Sequence, residues 1–444
     1  MKKSVDCLII GAGVIGCALS FEMAKKGMKA LVVDKHTTSG AGSTANSCAI
    51  IRTHYSTMDG IALAWENFPY WKNWSDYLGL SPNKYDLAKY HQGGMTVVKG
   101  PDWNHEKMLE YHHTLGIPIE DWDLETLLKK NTTINGTSHW PICRPEDDGF
   151  WEEKMDKIKG ALHFPESGYI NDPQLSTQNL QWAAEAKGAF FLFGTSVKAI
   201  EDFNGRLKRV KLSDDSQIEV PVIVNASGPH SYKINQMAGV LDDMKITTKA
   251  LRHEVHFVKA ASNAFDKVDD PVWADSDVGV YGHSENGVQV LIGSEDPECD
   301  PKIYVDPDSF YEGKGGYGKD NQVTNEQYKA QTLRFTKRWQ DLPIPNKPTG
   351  IVDLYDQTED WLPLYDKSCL DGYYMSVGTS GNQYKNAPVV AKMMVELIEY
   401  CENGGDHDKN PLSFKCDHSD TNIKLVTFSR LREINPNSSF TVRG

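Results

Sequence analysis

The alternation of apolar and polar positions at the start of the chain predicts a strand, a turn, a helix and a second strand. Residues 4–10 form a short apolar run with β-branched side chains, which is typical of a buried strand. Residues 17–26 follow a helical pattern that ends at Gly27, and residues 29–33 are again apolar. Such a unit places two parallel strands in a sheet that helices cover.

A stripe of aromatic side chains predicts an amphipathic helix over residues 61–78. Trp65, Phe68, Trp71 and Trp74 recur in it at three- and four-residue spacing. A stripe of this kind packs in the core more often than it lines a cofactor site, so we interpret it as core.

The remaining pattern alternates between short strands, helices and polar stretches. Asp172 and Pro173 suit the N-cap and the first position of a helix over residues 172–187. Other predicted elements are a strand at 91–99, a helix at 103–115, a charged surface excursion at 141–160, strands at 189–193, 207–212, 218–225, 250–258, 278–281 and 288–292, an insertion at 301–348, a strand at 373–377, a helix at 388–400 and a polar tail at 402–444.

Composition and charge narrow the class of protein. The 444 residues exceed the usual length of one domain, and 39% hydrophobic with 24% charged residues is ordinary globular composition. The net charge of −14 disfavours nucleic acid and anionic membranes as partners. The eight cysteines show no zinc spacing, so we expect reduced thiols, no metal and a cytoplasmic location. The apolar start resembles a secretory signal, but its glycine spacing suits a nucleotide-binding turn better.

The sequence Gly11-Ala12-Gly13-Val14-Ile15-Gly16 between the first strand and helix is the sharpest motif. Gly11 permits a tight turn, Gly13 lets the backbone approach a pyrophosphate, and Gly16 permits close packing of helix on strand. Asp34 ends the second strand, where a carboxylate can accept hydrogen bonds from ribose hydroxyls. Together these features predict a dinucleotide site.

Two later segments favour FAD over NAD as the dinucleotide. The apolar strand 219–225 runs into Ala226-Ser227-Gly228, and in two-domain flavoproteins such a strand returns to the nucleotide late in the chain. The loop 378–387 precedes a helix with Pro388 at its first turn. The positive end of that helix dipole would stabilise negative charge on a reduced flavin ring, whereas the alternative is an ordinary helix cap with a solvated Lys385.

These motifs resemble the D-amino-acid oxidase/sarcosine oxidase superfamily of FAD-dependent amine oxidoreductases over nearly the whole chain. The resemblance rests on the start to Asp34 and on the segments 42–52, 225–229, 358–363 and 378–388. It is strongest to the sarcosine oxidase branch, which includes monomeric enzymes and the β subunit of heterotetrameric ones. It implies an α/β fold in which a Rossmann-type FAD-binding domain is interleaved with a substrate domain on a mainly antiparallel sheet.

The resemblance also implies domain boundaries. We expect a discontinuous FAD-binding domain of residues 1–80, 166–240 and 346–402. A substrate domain of residues 81–165 and 241–345 and a tail of residues 403–444 that packs on the FAD-binding domain complete the chain.

Site residues follow from the same resemblance. Arg52 and Lys385 match the cations that clamp the substrate carboxylate, and Tyr281 and Tyr355 match tyrosines that line the pocket. Arg52 on the surface and tyrosines in the core are the alternatives. Further candidates are His54, Tyr55, His253 and His256. The expected cofactor-binding residues are Gly11, Gly13, Gly16, Asp34, Lys35, Ser43, Thr44, Val197, Ala226, Gly228, Gly381, Asn382 and Lys385.

Three departures from the family pattern refine these expectations. Asp353 stands where some members attach flavin through cysteine, and Asn46 where others attach it through histidine, so we expect non-covalent FAD. No lysine lies between Tyr281 and Asp296, where monomeric oxidases place one that helps oxygen react. A dehydrogenase that uses another acceptor is therefore an alternative to an oxidase.

The predicted reaction is oxidation of the C–N bond of a small secondary or tertiary amino acid, such as N-demethylation. Hydride transfer to flavin N5 gives an imine that water hydrolyses, with no obligatory side-chain base. The expected partners are an amine substrate with a carboxylate, oxygen or another acceptor, and a possible partner subunit. The alternatives are a deaminating oxidase of primary amino acids, a flavoprotein subunit that acts within a complex, and an NAD-dependent dehydrogenase.

Overall fold

The computed structural model describes residues 5–101, 103–203, 207–261, 263–313 and 321–444. Position 4 of the first predicted strand and positions 314–320 of the predicted insertion lie outside the described residues.

The described residues form strands that are numbered here in chain order. They are β1 (Cys7–Ile10), β2 (Ala30–Val33), β3 (Ile50–Ile51), β4 (Tyr90–His91), β5 (Met95–Val98), β6 (Glu120–Trp122), β7 (Ala161–Phe164), β8 (Gly168–Ile170), β9 (Phe190–Leu192), β10 (Val197–Phe203), β11 (Leu207–Leu212), β12 (Gln217–Val220), β13 (Val222–Asn225), β14 (Thr248–Lys259), β15 (Val272–Asp275), β16 (Val280–Glu285), β17 (Gln289–Ser294), β18 (Ile303–Tyr304), β19 (Gly350–Thr358), β20 (Leu364–Lys367), β21 (Tyr373–Val377), β22 (Ser413–Lys415) and β23 (Asn422–Lys424).

The α-helices of the same residues are numbered in the same way. They are α1 (Val14–Lys25), α2 (Met58–Lys72), α3 (Trp74–Leu78), α4 (His105–Thr114), α5 (Leu124–Lys130), α6 (Pro173–Ala186), α7 (Ser231–Met237), α8 (Pro307–Tyr311), α9 (Asn325–Arg338) and α10 (Ala387–Glu402).

A six-stranded sheet carries the predicted β-α-β unit. Its order is β20-β21-β13-β1-β2-β9, and every pair is parallel except β20 with β21. Helix α1 packs on α6 and α10 over one face, and side chains of β10, β11 and β12 cover the other. Because both faces are covered, the central strands are continuously apolar, as in Cys7–Ile10.

A nine-stranded sheet forms the second layer of the structure. Its main path is β18-β14-β17-β16-β15-β5-β7-β6, and β19 pairs with β14. All its pairs are antiparallel except β5 with β15. The combination of a Rossmann-type sheet with a mainly antiparallel one confirms the predicted fold class, while the domain boundaries stay a prediction.

Three predicted elements are wrong in detail. The strand expected at 218–225 is two strands, β12 and β13, which lie in different sheets. The strand expected at 91–99 is two strands in different sheets, because Gly93 and Gly94 interrupt it and Gly94 has a φ of 81°. The helix expected at 61–78 is two helices, since the backbone at Asn73 leaves the helical region at φ −114° and ψ 45°. Trp71 and Trp74 are buried, which agrees with their interpretation as core.

The tail of residues 403–444 is anchored to the six-stranded layer but also reaches the other sheet. Arg432 binds both carboxylate oxygens of Asp360, with Nη2 to Oδ1 at 2.7 Å and Nε to Oδ2 at 3.0 Å. At its far end, Nη1 of Arg443 donates to Oγ of Ser276 at 3.1 Å. The tail therefore places a charged side chain between the two sheets.

Among the described residues, no helix combines the length and the apolar character that crossing a bilayer requires.

His112 gives the fold a defined sensitivity to acid. Its Nδ1 lies 2.8 Å from the Met108 carbonyl and must donate to it, so Nε2 accepts from the Thr53 hydroxyl at 2.9 Å. This pattern requires neutral imidazole, and burial lowers the pKa of His112 to about 4. The unfolded chain takes up the proton near pH 6.5, so stability is lost as pH falls from about 6.5 towards about 4.

We expect His112→Gln to reduce this sensitivity, because glutamine can donate and accept but does not titrate. Between pH 7 and pH 5 the wild-type free energy of unfolding should fall by about 2 kcal/mol more than that of the variant. Denaturant unfolding at the two pH values measures the difference, with exposed His113→Gln on the same helix as the control. Equal losses in wild type and His112→Gln would contradict the assignment.

Candidate active site

A cavity of about 450 Å³ opens where β1, β2 and β13 end and extends to β16 and β19 of the larger sheet. The carboxyl ends of parallel strands are where open α/β sheets bind ligands. The cavity thus joins the predicted dinucleotide turn to the predicted substrate residues.

The turn after β1 is as tight as the motif predicts. Gly11 has a φ of 108°, and a Cβ on it would lie 2.4 Å from the Ala226 carbonyl oxygen. A Cβ on Gly16 would lie 1.9 Å from the Gly11 carbonyl oxygen, so Gly16 allows α1 to pack on the turn. Gly13 faces the cavity at the start of α1, where the positive end of the helix dipole favours phosphate.

Asp34 and Lys35 lie at the nucleotide end of the cavity. The Asp34 carboxylate is fixed by the backbone N–H groups of Ala12 at 2.6 Å and His36 at 2.8 Å. The Lys35 ammonium lies 2.9 Å from Nε2 of His230, and burial lowers its pKa. These contacts hold both charged groups at the rim, where a ribose or phosphate would bind.

Ser43 and Thr44 form part of the cavity wall through hydrogen bonds. Oγ of Ser43 donates to the Leu354 carbonyl at 2.8 Å, and Oγ1 of Thr44 accepts from the Val14 N–H at 3.2 Å. Asp353 accepts from Nδ2 of Asn46 at 2.6 Å, so the two positions examined for covalent attachment are partners of each other.

Arg52 and Lys385, distant in the chain, meet around one aromatic ring. Cζ of Arg52 lies 4.7 Å from the centre of the Tyr55 ring, and Nζ of Lys385 lies 5.0 Å from it. Arg52 donates to the carbonyls of His54 and Val442, the latter at 2.7 Å. Lys385 donates to the Tyr55 hydroxyl at 2.9 Å and to the Asn382 carbonyl at 2.7 Å. Neutral groups therefore hold two cations at one end of the cavity.

Burial destabilises the charged forms of Arg52 and Lys385. It lowers the pKa of Lys385 well below its usual range, with Arg52 as the second cause. It also lowers the pKa of Arg52, and Tyr55 and Glu295 act in the opposite direction. A bound anion would offset this cost, because charges attract more strongly in a site shielded from water.

Tyr281 and Tyr355 line the same end of the cavity. The Tyr281 hydroxyl lies 3.3 Å from Sγ of Cys48, and burial raises the pKa of both tyrosines well above 10. A Cβ on Gly381 would lie 2.4 Å from the Tyr355 ring, so the glycine loop makes room for this ring. Both phenols remain neutral donors at physiological pH.

The histidine candidates separate in space. His54 and His253 line the cavity, and the His253 ring stacks on Tyr355 with centroids 4.4 Å apart. His253 also pairs with Asp296 at 3.2 Å. His256 is buried on β14 and lies outside the cavity lining of the described residues.

Most of the residues predicted from the sequence line this cavity, whereas His256 and Tyr55 are not in its described lining. Its described lining includes Arg52, Lys385, Tyr281, Tyr355, Gly11, Gly13, Asp34, Lys35, Ser43, Thr44, Val197, Ala226, Gly228, Gly381 and Asn382, but not Gly16, which supports the turn from behind.

Arg443 and Glu295 also line the cavity, although neither was predicted from the sequence. Both are buried, and Nη1 of Arg443 lies 3.9 Å from a Glu295 carboxylate oxygen. Arg443 stands in a polar tail without a motif, so its sequence carried no signal. Glu295 directly follows β17, the strand on which no lysine is found.

Comparison with known proteins identifies the family of the chain. The DAO family, described as FAD dependent oxidoreductase, matches residues 6–397. Mitochondrial sarcosine dehydrogenase of Mus musculus is 21% identical over 57% of this chain, a match that spans 25% of that relative's length. In solved structures, L-proline dehydrogenase from P. horikoshii has a TM-score of 0.72 at 20% identity over 97% of this chain and 98% of that chain. Glycine oxidase from Geobacillus kaustophilus has a TM-score of 0.69 at 17% identity over 97% and 99%.

The chain belongs to the DAO family of FAD-dependent oxidoreductases, since the match covers most of its length. FAD is the cofactor of this family, and the glycine turn, the fixed Asp34 carboxylate and the open wall at Gly13 fit a dinucleotide. At these identities the structural likenesses establish the fold, and substrate identity needs separate evidence.

We expect Gly13→Val to lose most of the bound flavin while the chain still folds. Gly13 has an ordinary φ of −71°, and a Cβ there would meet only the Thr44 hydroxyl, at 3.2 Å. The rest of the valine would fill space that the pyrophosphate needs. The ratio of flavin to protein absorbance measures the loss, and circular dichroism checks the fold. A folded variant with full flavin would contradict this role for Gly13.

Acid precipitation tests the expected non-covalent binding of FAD. Asp353 and Asn46 stand at the two positions where some similar enzymes attach flavin covalently, and they bind each other. The yellow colour of the flavin should therefore stay in the supernatant. Colour in the washed pellet would show a covalent link and contradict the expectation.

Proposed function

We propose that this protein oxidises the C–N bond of a small secondary or tertiary amino acid with FAD as the electron acceptor. The observation that carries the proposal is the meeting of Arg52 and Lys385 around Tyr55 in the cavity of a DAO-family chain. Two relatives are named for sarcosine and L-proline, which are both secondary amino acids.

The two cations are arranged to hold a carboxylate. Each is already oriented by backbone carbonyls or a hydroxyl, so little side-chain freedom remains to be lost on binding. Charge-assisted hydrogen bonds from Arg and Lys are short and strong, and Arg can bind both carboxylate oxygens. A carboxylate held in this way would place the neighbouring C–N bond at a fixed distance and orientation.

The lowered pKa of Lys385 gives this residue a second task. An amino acid arrives with a carboxylate and an ammonium group, and an ammonium has no lone pair to assist oxidation. In this proposal Lys385 is neutral before the substrate binds, so its Nζ, which donates to Tyr55 and Asn382 at the cavity wall, can take the proton from the substrate nitrogen and becomes the second cation only then. The transfer leaves a neutral amine and a charged Lys385 beside the carboxylate.

The tyrosine rings in the cavity wall support the reaction by adding no further charge beside the substrate. Tyr281 and Tyr355 stay neutral, and the His253 ring closes the side behind Tyr355. FAD held by the Gly11–Gly16 turn and Asp34 would supply the acceptor for the electron pair and the hydrogen that leave the substrate carbon. The chain itself binds, orients and deprotonates the substrate.

Replacing Arg52 tests carboxylate recognition. We expect Arg52→Ala to lower kcat/KM for sarcosine, because it removes charge-assisted contacts in a buried site. The loss should correspond to an increase of about 2–4 kcal/mol in the activation free energy. Sarcosinamide, which lacks the carboxylate, should lose far less. Anaerobic flavin bleaching by stopped flow measures both substrates, and Arg52→Lys should keep part of the preference. Equal losses for acid and amide would overturn the clamp.

The proton transfer predicts a pH profile. With Lys385 neutral, kcat/KM should fall as pH drops through the lysine pKa, because a protonated Lys385 accepts no proton. Lys385→Arg keeps a cation but never accepts the proton, so its profile should shift to higher pH, towards the pKa of the substrate amine. Superimposable pH profiles would exclude Lys385 as the acceptor.

The reaction products distinguish this function from deamination of primary amino acids. This alternative is worth testing because glycine, for which one structural neighbour is named, is a primary amino acid. An aldehyde with a retained amine supports the proposal, whereas ammonia supports deamination. Re-oxidation of the bleached flavin in air distinguishes an oxidase from a dehydrogenase. Turnover by the purified chain with an artificial acceptor would exclude an obligate partner subunit.

A further inference from the structure

Helix α8 reaches the nucleotide end of the cavity, although it belongs to the segment expected to be an insertion. It follows β18, which pairs with β14 of the larger sheet. Phe310 anchors the helix, since it is buried against side chains of β14 and β19. Asp308 and Tyr311 of the same helix line the cavity. The larger sheet therefore supplies part of the wall around the dinucleotide site.

The cavity has two banks at this end. The first bank is the loop that follows β2, from which Lys35, Ser43 and Asn46 line the cavity, and the second bank is the segment 228–233 that follows β13. Strand β1 lies between β2 and β13 in the sheet. The glycine turn after β1 thus lies between the two banks, at the strand ends where a dinucleotide binds.

Tyr311 ties α8 to the first bank. Its hydroxyl donates to Oδ1 of Asp353 at 2.6 Å and lies 3.3 Å from Oγ of Ser43. Oδ2 of the same Asp353 accepts from Nδ2 of Asn46 at 2.6 Å. Nζ of Lys35 lies 4.7 Å from the centre of the Tyr311 ring. Burial and the Asp353 carboxylate raise the pKa of Tyr311, so the phenol stays protonated and keeps donating.

The same helix is also tied to the second bank. The His230 ring stacks on the Tyr311 ring, with centroids 5.7 Å apart and planes at 22°. Nε2 of His230 lies 3.1 Å from Oδ1 of Asp308. Nζ of Lys233 pairs with Asp308 and, at 2.7 Å, with Asp306. Helix α8 thus joins two banks that come from opposite sides of the glycine turn.

The place of Asp353 gives these contacts a meaning for the cofactor. It stands where some similar enzymes attach flavin through cysteine, and here its carboxylate binds Tyr311 and Asn46 instead. A cofactor without a covalent link stays bound only as long as its contacts last, so its dissociation rate sets how well it is retained. A contact that spans the site from bank to bank slows that dissociation.

We propose that α8 is a clasp that retains FAD: Tyr311 and Asp308 join the two banks across the dinucleotide site, and FAD leaves only after these contacts break. The inference concerns the cofactor and goes beyond the proposed oxidation of an amine. Tyr311 is its main residue, because its hydroxyl holds one bank and its ring holds the other.

Exchange of FAD tests the clasp without any substrate. The FAD-loaded enzyme is mixed with a large excess of 8-chloro-FAD, and the released FAD is measured after rapid desalting. Tyr311→Phe should speed release by about threefold, because it loses one hydrogen bond and keeps the ring. Tyr311→Ala should speed release by at least about tenfold, because it also loses the contacts with Lys35 and His230.

Tyr304 on the neighbouring strand β18 offers a matched control. Its hydroxyl donates to Oε1 of Gln357 at 2.7 Å, a lysine ammonium lies 5.6 Å from the centre of its ring, and it is outside the described cavity lining. Tyr304→Phe and Tyr304→Ala should therefore release FAD at the wild-type rate. Equal acceleration in the Tyr304 and Tyr311 variants would overturn the clasp, and so would wild-type release from Tyr311→Ala.

Uptake of FAD distinguishes a clasp from general damage to the site. A clasp hinders entry as well as exit, so the flavin-free Tyr311 variants should take up FAD at least as fast as the flavin-free wild type. Slower uptake together with faster release would show a damaged site and contradict the proposal. If Tyr311→Ala does not fold, Tyr311→Phe still decides the outcome, because it changes a single hydroxyl.

A double-mutant cycle identifies the partner of the hydroxyl. In an Asp353→Ala background, Tyr311→Phe should change the release rate by less than about 1.5-fold, because the accepting carboxylate is already absent. A full threefold effect in that background would overturn the assigned contact. All these measurements follow the cofactor, so a failure of the clasp leaves the proposed function untouched. If no N-methyl amino acid bleaches the flavin, the exchange rates still decide the clasp.

Discussion

The burial of positive charge around Tyr55 is the constraint on which the site depends. A buried cation costs free energy unless fixed dipoles or an opposite charge stabilise it. Here the carbonyls of Val442 and Asn382 supply dipoles to Arg52 and Lys385. Because these partners are neutral, they leave the positive charge available to the carboxylate of the proposed substrate.

The surrounding structure also fixes the backbone segments that carry Lys385 and Val442. Trp71 of the aromatic stripe donates from Nε1 to the Lys385 carbonyl at 2.7 Å, so a core residue fixes the backbone of a site residue. The bidentate pair of Arg432 with Asp360 anchors the tail that carries Val442. Burial would raise the pKa of Asp360, but Arg432 keeps it below the usual value, so the anchor stays ionised. A core residue such as Trp71 therefore also positions the candidate site.

The two sheets divide the work of the site between them. The parallel sheet presents strand ends and the N-terminus of α1, which suit phosphates and bring Asp34 to the rim. The antiparallel sheet supplies Tyr281 and Tyr355 from β16 and β19, whose rigid pairing with neighbouring strands fixes both rings. The tail places Arg443 in the cavity lining, where its side chain contacts Ser276 next to the antiparallel sheet.

The sequence by itself determined the β-α-β unit and the glycine turn, and the resemblance to a family supplied the class of cofactor and the candidate cations Arg52 and Lys385. The turn could be predicted because backbone geometry restricts its positions: only glycine fits the φ of Gly11 and its approach to Ala226. Only the tertiary structure decided which other charges share the cavity. Arg443 and Glu295 have no local geometric requirement, and their meeting depends on chain segments far apart in sequence. The break at Gly94 had a local sign in two adjacent glycines, whereas the break at Asn73 interrupts a continuous apolar pattern and is visible only in the backbone of the folded chain.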